Sequence, residues 1–146
     1  MTKGLQAGFL YFVAVFAVGF AFGILRTLAV ETFPGVTRLG AVLVEVPILL
    51  AVAWGVCGVL VGRFSVTDSG GFAVVMGLSA FLLLLSAEAG LSMGLNNLSL
   101  EEHFALYQGP SHLVGLIGQL FFAVFPWVRL RSIGVGAASP VIQGDQ

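Results

Sequence analysis

LQAGFLYFVAVFAVGFAFGILRTLAV, residues 5–30, decides the fold class, because it is almost entirely apolar and carries a single charge, at Arg26. A helix that spans a membrane needs about 20 predominantly apolar residues. Three more runs of this kind follow, at residues 39–62, 72–95 and 111–128. The sequence therefore predicts an all-α fold, an integral-membrane four-helix bundle, as one transmembrane domain over residues 1–146.

Composition supports a lipid environment for the whole chain. Of its 146 residues, 58% are hydrophobic and 9% are charged, and the mean hydropathy is +1.06. Soluble domains of this size are normally far less apolar. The formal net charge of -1 leaves no basic surface for a nucleic-acid backbone. The lipid bilayer is the predicted partner, and nucleic acid is excluded.

Turn signals and capping motifs organise the segments between the spans. Pro34 and Gly35 predict a tight turn, which would make the first two spans an antiparallel hairpin. Ser99 and Glu102 fit a capping box, so residues 99–108 are predicted to form a short interfacial helix before the fourth span. The polar, Gly-rich residues 132–146 are predicted to be a loosely held cytoplasmic tail.

The distribution of basic residues predicts the orientation. One side of the four-span topology holds Lys3, Arg63, Arg129 and Arg131, whereas the other holds only Arg38 beyond the membrane. Positively charged residues favour the cytoplasmic side of short loops. Both termini are therefore predicted to be cytoplasmic.

Each predicted span carries one polar group at a similar depth: Arg26, Glu45, Glu88 and Gln119. At 1.5 Å per residue, the three charges lie about 6–12 Å below the non-cytoplasmic boundary. A charge in hydrocarbon is costly, so such residues usually pair with each other or face a cavity. This buried polar layer is the candidate functional site.

Two interpretations of the layer stay open. In the first, Arg26 pairs with one or both glutamates, Gln119 donates a hydrogen bond, and the cluster fixes the helix register. In the second, two acids share one base, and burial favours the protonated form of a carboxylate. Glu45 or Glu88 would then be a proton or cation site.

Prolines inside two spans predict helix kinks. Pro47 has no amide hydrogen to donate to the carbonyl of Leu43. The freed carbonyl could form part of a cation site beside Glu45, or Pro47 could simply kink the helix near its start. Pro126 frees the carbonyl of Phe122 near the end of the fourth span, away from any charge, and is predicted to be structural.

Small residues predict where helices pack closely. Three GxxxG patterns place two glycines on one helix face, and such faces let helix backbones approach each other. The predicted packing positions are Gly19, Gly23, Gly58, Gly62, Gly90 and Gly94.

The two histidines, His103 and His112, lie outside the strongly apolar parts of the sequence, His112 at the very start of the fourth run, and are predicted to be in solvated loops rather than in a metal site. No predicted span contains a histidine in its apolar interior, so haem held by histidine pairs is not expected. No metal and no cofactor is predicted, although an aromatic groove between spans one and four would suit a quinone or a pigment.

The pattern Tyr11-Phe12-x-x-Val15-Phe16-x-x-Gly19-Phe20-x-x-Gly23-x-x-Arg26, with Arg38-Leu39-Gly40 and Glu45-x-Pro47, resembles a group of small, uncharacterised four-span bacterial inner-membrane proteins. The resemblance covers the first two spans best. It implies the fold and a location in the bacterial inner membrane, without an activity.

Two functions follow as expectations. The first is an integral-membrane structural or accessory subunit, acting with other membrane subunits or as a homo-oligomer, in which the polar layer orders the bundle. The alternative is a small protein that conducts or transports protons or cations through Glu45 and Glu88. An enzyme is not expected, because no nucleophile–base pair, phosphate loop or metal-binding spacing stands out.

Overall fold

The computed structural model describes residues 2–64, 69–95 and 99–136, which are almost entirely helical and contain no strand. The helices are α1 (Thr2–Thr32), α2 (Arg38–Phe64), α3 (Ser69–Leu95), α4 (Leu100–Leu106) and α5 (Pro110–Gly136). All but α4 are long and apolar enough to cross a membrane. The predicted fold class, an all-α four-helix membrane bundle, is confirmed.

Successive long helices run in opposite directions, so the bundle has two ends. We call the end at the α1–α2 turn the Pro34 end, and the end where α2 finishes the Arg63 end. Helix α5 runs on to Gly136 instead of ending near Val128. The prediction of a loose tail is therefore wrong for residues 132–136, and residues 137–146 lie outside the described part of the chain.

The turn between α1 and α2 is built as predicted. Gly35 has a φ of 110°, a left-handed conformation that favours glycine. Val36 donates a backbone hydrogen bond to Phe33 over 3.1 Å. The hydroxyl of Thr37 accepts from the Gly40 amide over 3.1 Å and caps the start of α2. These local bonds close an antiparallel hairpin of the first two long helices.

The four long helices form a ring in the order α1, α2, α5, α3. Helix α1 packs against α2 and α3, and α5 packs against the same two helices. Helices α2 and α3 are consecutive in the chain but sit across the ring from each other. The arrangement brings the polar groups of all four helices toward one central space.

Glycines allow close packing near the Arg63 end. A Cβ on Gly8 would overlap the Ser79 hydroxyl of α3, and one on Gly77 would overlap the Ala123 carbonyl oxygen of α5. Both approaches join α3 to a neighbour. The buried core lies at this level and includes Ala7, Tyr11, Ala53, Cys57, Met76, Ala80 and Phe122.

The predicted GxxxG faces contribute less to packing than expected. Among the described residues, a Cβ at Gly62, Gly90 or Gly94 would meet no atom of another helix within 4 Å, so these positions do not bring the helices of this chain into close contact. The prediction fails because glycine spacing identifies a smooth face without showing which way it points. Of the remaining three, Gly19 touches Leu49, Gly23 lies near only Arg26 of its own helix, and Gly58 makes room for the Arg129 guanidinium.

Helix α4 starts with the predicted capping box. The Ser99 hydroxyl accepts from the Glu102 amide over 3.2 Å, and the Ser99 amide donates to the Glu102 carboxylate over 2.7 Å. These bonds from Ser99 lower the pKa of the exposed Glu102 carboxyl. The capping box is confirmed, and the interfacial position of this helix stays a prediction.

Candidate functional site

The polar layer is built from two pairs, each of which joins two helices. Arg26 of α1 donates through Nη1 to Oε2 of Glu45 in α2, forming an ion pair. The side chain of Glu45 is 9% exposed and that of Arg26 is 27% exposed. The structure therefore brings together the base and the first acid of the predicted layer.

The second pair joins α3 to α5. Gln119 donates through Nε2 to Oε1 of Glu88 over 2.6 Å. The hydroxyl of Tyr107, just past α4, donates to Oε2 of the same carboxylate over 3.4 Å. Burial and the nearby Glu88 charge raise the pKa of Tyr107 to about 12. Glu88 thus receives hydrogen bonds from two further segments of the chain.

Sequence reasoning missed Tyr107, which it placed within the predicted short interfacial helix of residues 99–108. The spacing of Leu100, Phe104 and Tyr107 gave no signal for a phenol directed at a carboxylate. A signal was present in the chemistry, because a tyrosine that is partly buried usually finds a hydrogen-bond partner for its hydroxyl.

Two buried polar atoms of the layer have no hydrogen-bond partner within the described residues. They are Nε of Arg26, a donor, and Oε1 of Gln119, an acceptor. Buried polar atoms of native proteins are nearly always satisfied by protein, water or a ligand.

A cavity of about 920 Å³ lies beside the layer, between the four long helices and α4. Exposed Glu31 and Arg38 line it at the Pro34 end, and Ala53 and Phe122 line its deepest part near the middle of the bundle. Both polar pairs are in its wall. The other lining side chains are mostly aliphatic or aromatic, including Phe16, Phe20, Val42, Val46, Leu49, Leu50, Leu84, Leu91 and Leu106.

The floor of the cavity is closed by contacts between α1 and α5. The rings of Tyr11 and Phe122 stack with centroids 4.2 Å apart. The Tyr11 hydroxyl also donates to the carbonyl oxygen of Phe122 over 3.2 Å. This is the carbonyl that Pro126 deprives of its helical donor. Tyr11 supplies the missing hydrogen bond from across the bundle. Pro126 thus takes part in the contact between α1 and α5, which fits the structural role predicted for it.

His112 occupies a different environment from the predicted solvated loop. It lies in the first turn of α5, is half-buried, and lines the cavity. Its ring meets Tyr107 edge-on, with centroids 6.3 Å apart. The loop prediction is wrong because α5 begins at Pro110, which draws this histidine into the helix. The side chain of His103 lies outside the described part of the structure.

Pro47 lies inside α2, which continues from Arg38 to Phe64 around it, and its ring is exposed. It is not among the cavity-lining residues, whereas its neighbours Val46 and Leu49 are. The geometry therefore supports the plain structural reading of this proline over a role as part of a cation site.

Comparisons with protein-family models, with curated proteins and with solved structures found no match. The chemistry of the site is thus read from its geometry. A cavity that reaches exposed residues at the Pro34 end, has Phe122 at its deepest part, and carries two carboxylates and a guanidinium in its wall between them can admit a small molecule or ion and hold it.

Proposed function

We propose that this chain is a small membrane protein that takes up a cation or proton from the Pro34 end, as the first step of transport. The observation that carries the proposal is the cavity of about 920 Å³ whose wall contains both Glu45 and Glu88. A polar layer that served only to fix helix register would need no open volume beside it. Membrane acids that face a cavity are typical of ion and proton pathways.

Complete passage requires the floor to open. The Tyr11–Phe122 stack and the hydrogen bond from Tyr11 to the Phe122 carbonyl are the contacts that block the path toward the Arg63 end. On this proposal the described structure is the state open to the Pro34 end. Alternating access would exchange it for a state in which this floor is parted and the Pro34 end is closed.

The experiment is flux into sealed proteoliposomes. Proton uptake is followed with a trapped pH-sensitive dye, and potassium uptake with a radioactive tracer, each driven by a membrane potential. Wild type is expected to exceed protein-free vesicles, and Glu88→Gln and Glu45→Gln are expected to lower the protein-dependent flux at least about tenfold, because each removes a carboxylate from the cavity wall. Glu101→Gln, an exposed carboxylate outside the cavity, is the matched control.

Two results contradict the proposal. One is wild-type flux that is no greater than the flux of protein-free vesicles. The other is unchanged flux in both Glu88→Gln and Glu45→Gln, provided that the variants remain helical and monodisperse in detergent.

A second candidate function is a structural or accessory subunit of a membrane complex or homo-oligomer. It is favoured by the way that the Arg26–Glu45 and Glu88–Gln119 contacts each tie two helices together. Purification in mild detergent with mass analysis tests it. A stoichiometric partner chain or a defined oligomer supports this function, and a solitary monomer contradicts it.

The location belongs to the same proposal. The basic residues Lys3, Arg63, Arg129 and Arg131 cluster at the Arg63 end, where Arg131 lies over the Trp127 ring at 3.7 Å. Basic side chains favour the cytoplasmic side of a membrane, and tryptophan favours a membrane interface on either side. We therefore place both termini in the cytoplasm and the cavity mouth on the opposite side of a bacterial inner membrane.

A further inference from the structure

The size and wall chemistry of the cavity bear on what it binds. A cavity of about 920 Å³ is in the range of sites that bind organic molecules. Hard inorganic cations need several oxygen ligands around them. Most of the wall is instead aliphatic or aromatic, so the protein itself offers an inorganic ion few oxygen ligands.

The charges of the wall favour a monovalent cation. Three carboxylates, Glu31, Glu45 and Glu88, and two guanidiniums, Arg26 and Arg38, line the described cavity. With neutral histidine the wall thus carries one negative charge in excess. In a space with low-dielectric walls, one excess charge raises the local concentration of ligands of opposite sign.

The aromatic side chains suit an organic body. Phe16 and Phe20 stack along α1 with ring centroids 6.1 Å apart, and both border the cavity. Phe122 lines its floor. Aromatic rings bury a large apolar area, and aliphatic neighbours such as Leu49 would cover the rest of an organic body.

We propose that the cavity binds an amphiphilic organic monocation, with its charged centre beside Glu88 and its apolar body against Phe16, Phe20 and Leu49. This inference rests on the proposed function, because both assign the same cavity, but it names the class of ligand. The inference names an organic cation, rather than a proton or an inorganic ion, as the ligand of the cavity.

The test is binding of two ions of matched size and opposite charge. Tetraphenylphosphonium and tetraphenylborate are titrated separately by equilibrium dialysis against protein in nanodiscs of neutral lipid, with empty nanodiscs subtracted. Saturable binding of tetraphenylphosphonium and no saturable binding of tetraphenylborate are expected. Glu88→Gln is expected to lower the affinity for tetraphenylphosphonium about tenfold. Glu101→Gln, outside the cavity, is expected to leave this affinity unchanged.

A second variant keeps the test decisive if Glu88→Gln does not fold. Glu31 is exposed at the mouth of the cavity, so Glu31→Gln disturbs no packing. It is expected to lower the affinity for tetraphenylphosphonium about threefold, because Glu31 is farther from the bound charge than Glu88 and is more screened by solvent. Unchanged affinity in whichever of the two variants folds overturns the inference.

The remaining outcomes separate this inference from the proposed function. Equal binding of both ions would indicate partition into apolar volume and overturn the inference. No tetraphenylphosphonium binding, together with flux that depends on the carboxylates, overturns the inference and leaves the function standing. Binding as expected without any flux upholds the inference and overturns the function.

Discussion

Removing the hydroxyl of Tyr11 tests how the bundle repairs the helix defect made by Pro126. Tyr11 is fully buried and Phe122 is 3% exposed, so bulk solvent has little access to the place of the lost donor. The Phe122 carbonyl has no helical donor at position 126 either. Tyr11→Phe keeps the ring, and therefore the stacking at 4.2 Å, and deletes only the hydrogen bond of 3.2 Å.

The magnitude follows from this geometry. Interhelical side-chain hydrogen bonds in membrane proteins are worth about 0.6 kcal/mol on average and reach about 1.7. The carbonyl here is buried and has lost its helical donor, which puts the expected loss for Tyr11→Phe near the upper end, at about 1.5 kcal/mol. Pro126→Ala restores an amide donor to the same carbonyl, so in that background Tyr11→Phe should cost under about 0.5 kcal/mol.

The assay is reversible unfolding of the four proteins of this cycle by sodium dodecyl sulfate in mixed micelles, followed by tryptophan fluorescence. The cycle cancels whatever Pro126→Ala does alone. The expected coupling is about 1 kcal/mol. An equal cost of Tyr11→Phe in both backgrounds, with coupling below about 0.3 kcal/mol, would refute the idea that Tyr11 serves the carbonyl freed by Pro126.

Three further changes address packing, pairing and the Glu88 environment. Gly77→Ala is expected to destabilise the bundle by about 1–3 kcal/mol, because the new Cβ overlaps backbone of α5; detergent unfolding measures it. Arg26→Met and Glu45→Met should each cost about 2–4 kcal/mol singly, but the double variant should cost about 0–1, since it leaves no buried charge unpaired; the same unfolding assay applies. Tyr107 should ionise near pH 12 by ultraviolet titration, and Glu88→Gln should lower this pKa because it removes the carboxylate charge.

Each of these has its own control. Gly90→Ala, where a Cβ meets open space, should be neutral or stabilise by up to about 1 kcal/mol, and equal losses at the two glycines would contradict the packing assignment. A double charge variant as unstable as the sum of the singles would contradict the pairing. Subtracting the ultraviolet titration of Tyr107→Phe from that of the wild type isolates the titration of Tyr107. An unchanged Tyr107 pKa in Glu88→Gln would contradict the contact between Tyr107 and Glu88.

The depth of the polar layer was predictable, whereas its pairing was not. The lengths of the apolar runs and a fixed rise per residue place Arg26, Glu45, Glu88 and Gln119 at one level. Which acid meets Arg26 depends on how each helix is rotated, and the sequence left either or both glutamates possible. The cavity was beyond sequence reasoning as well, because open volume depends on the packing of side chains from several helices at once.

Pro126 also has one consequence that the sequence predicts and one that only the structure shows. The missing amide, and hence the freed Phe122 carbonyl, follow from covalent structure alone. The donor that satisfies this carbonyl is Tyr11, far away in sequence, and finding it requires the register between α1 and α5. The glycine predictions failed for a related reason, since spacing describes a face of one helix and says nothing about what stands opposite.

Thiol labelling tests most directly whether water reaches past the charged layer from one end of the bundle. Leu49→Cys, in the cavity wall one turn deeper than Glu45, and Ala80→Cys, fully buried in the core, are exposed in sealed vesicles to a membrane-impermeant cationic thiol reagent. Wild type, whose Cys57 is fully buried, gives the background. Leu49→Cys is expected to be labelled in the vesicle population with the Pro34 end outward, and Ala80→Cys is expected to stay unlabelled. Leu49→Cys that labels no faster than wild type would contradict this expectation.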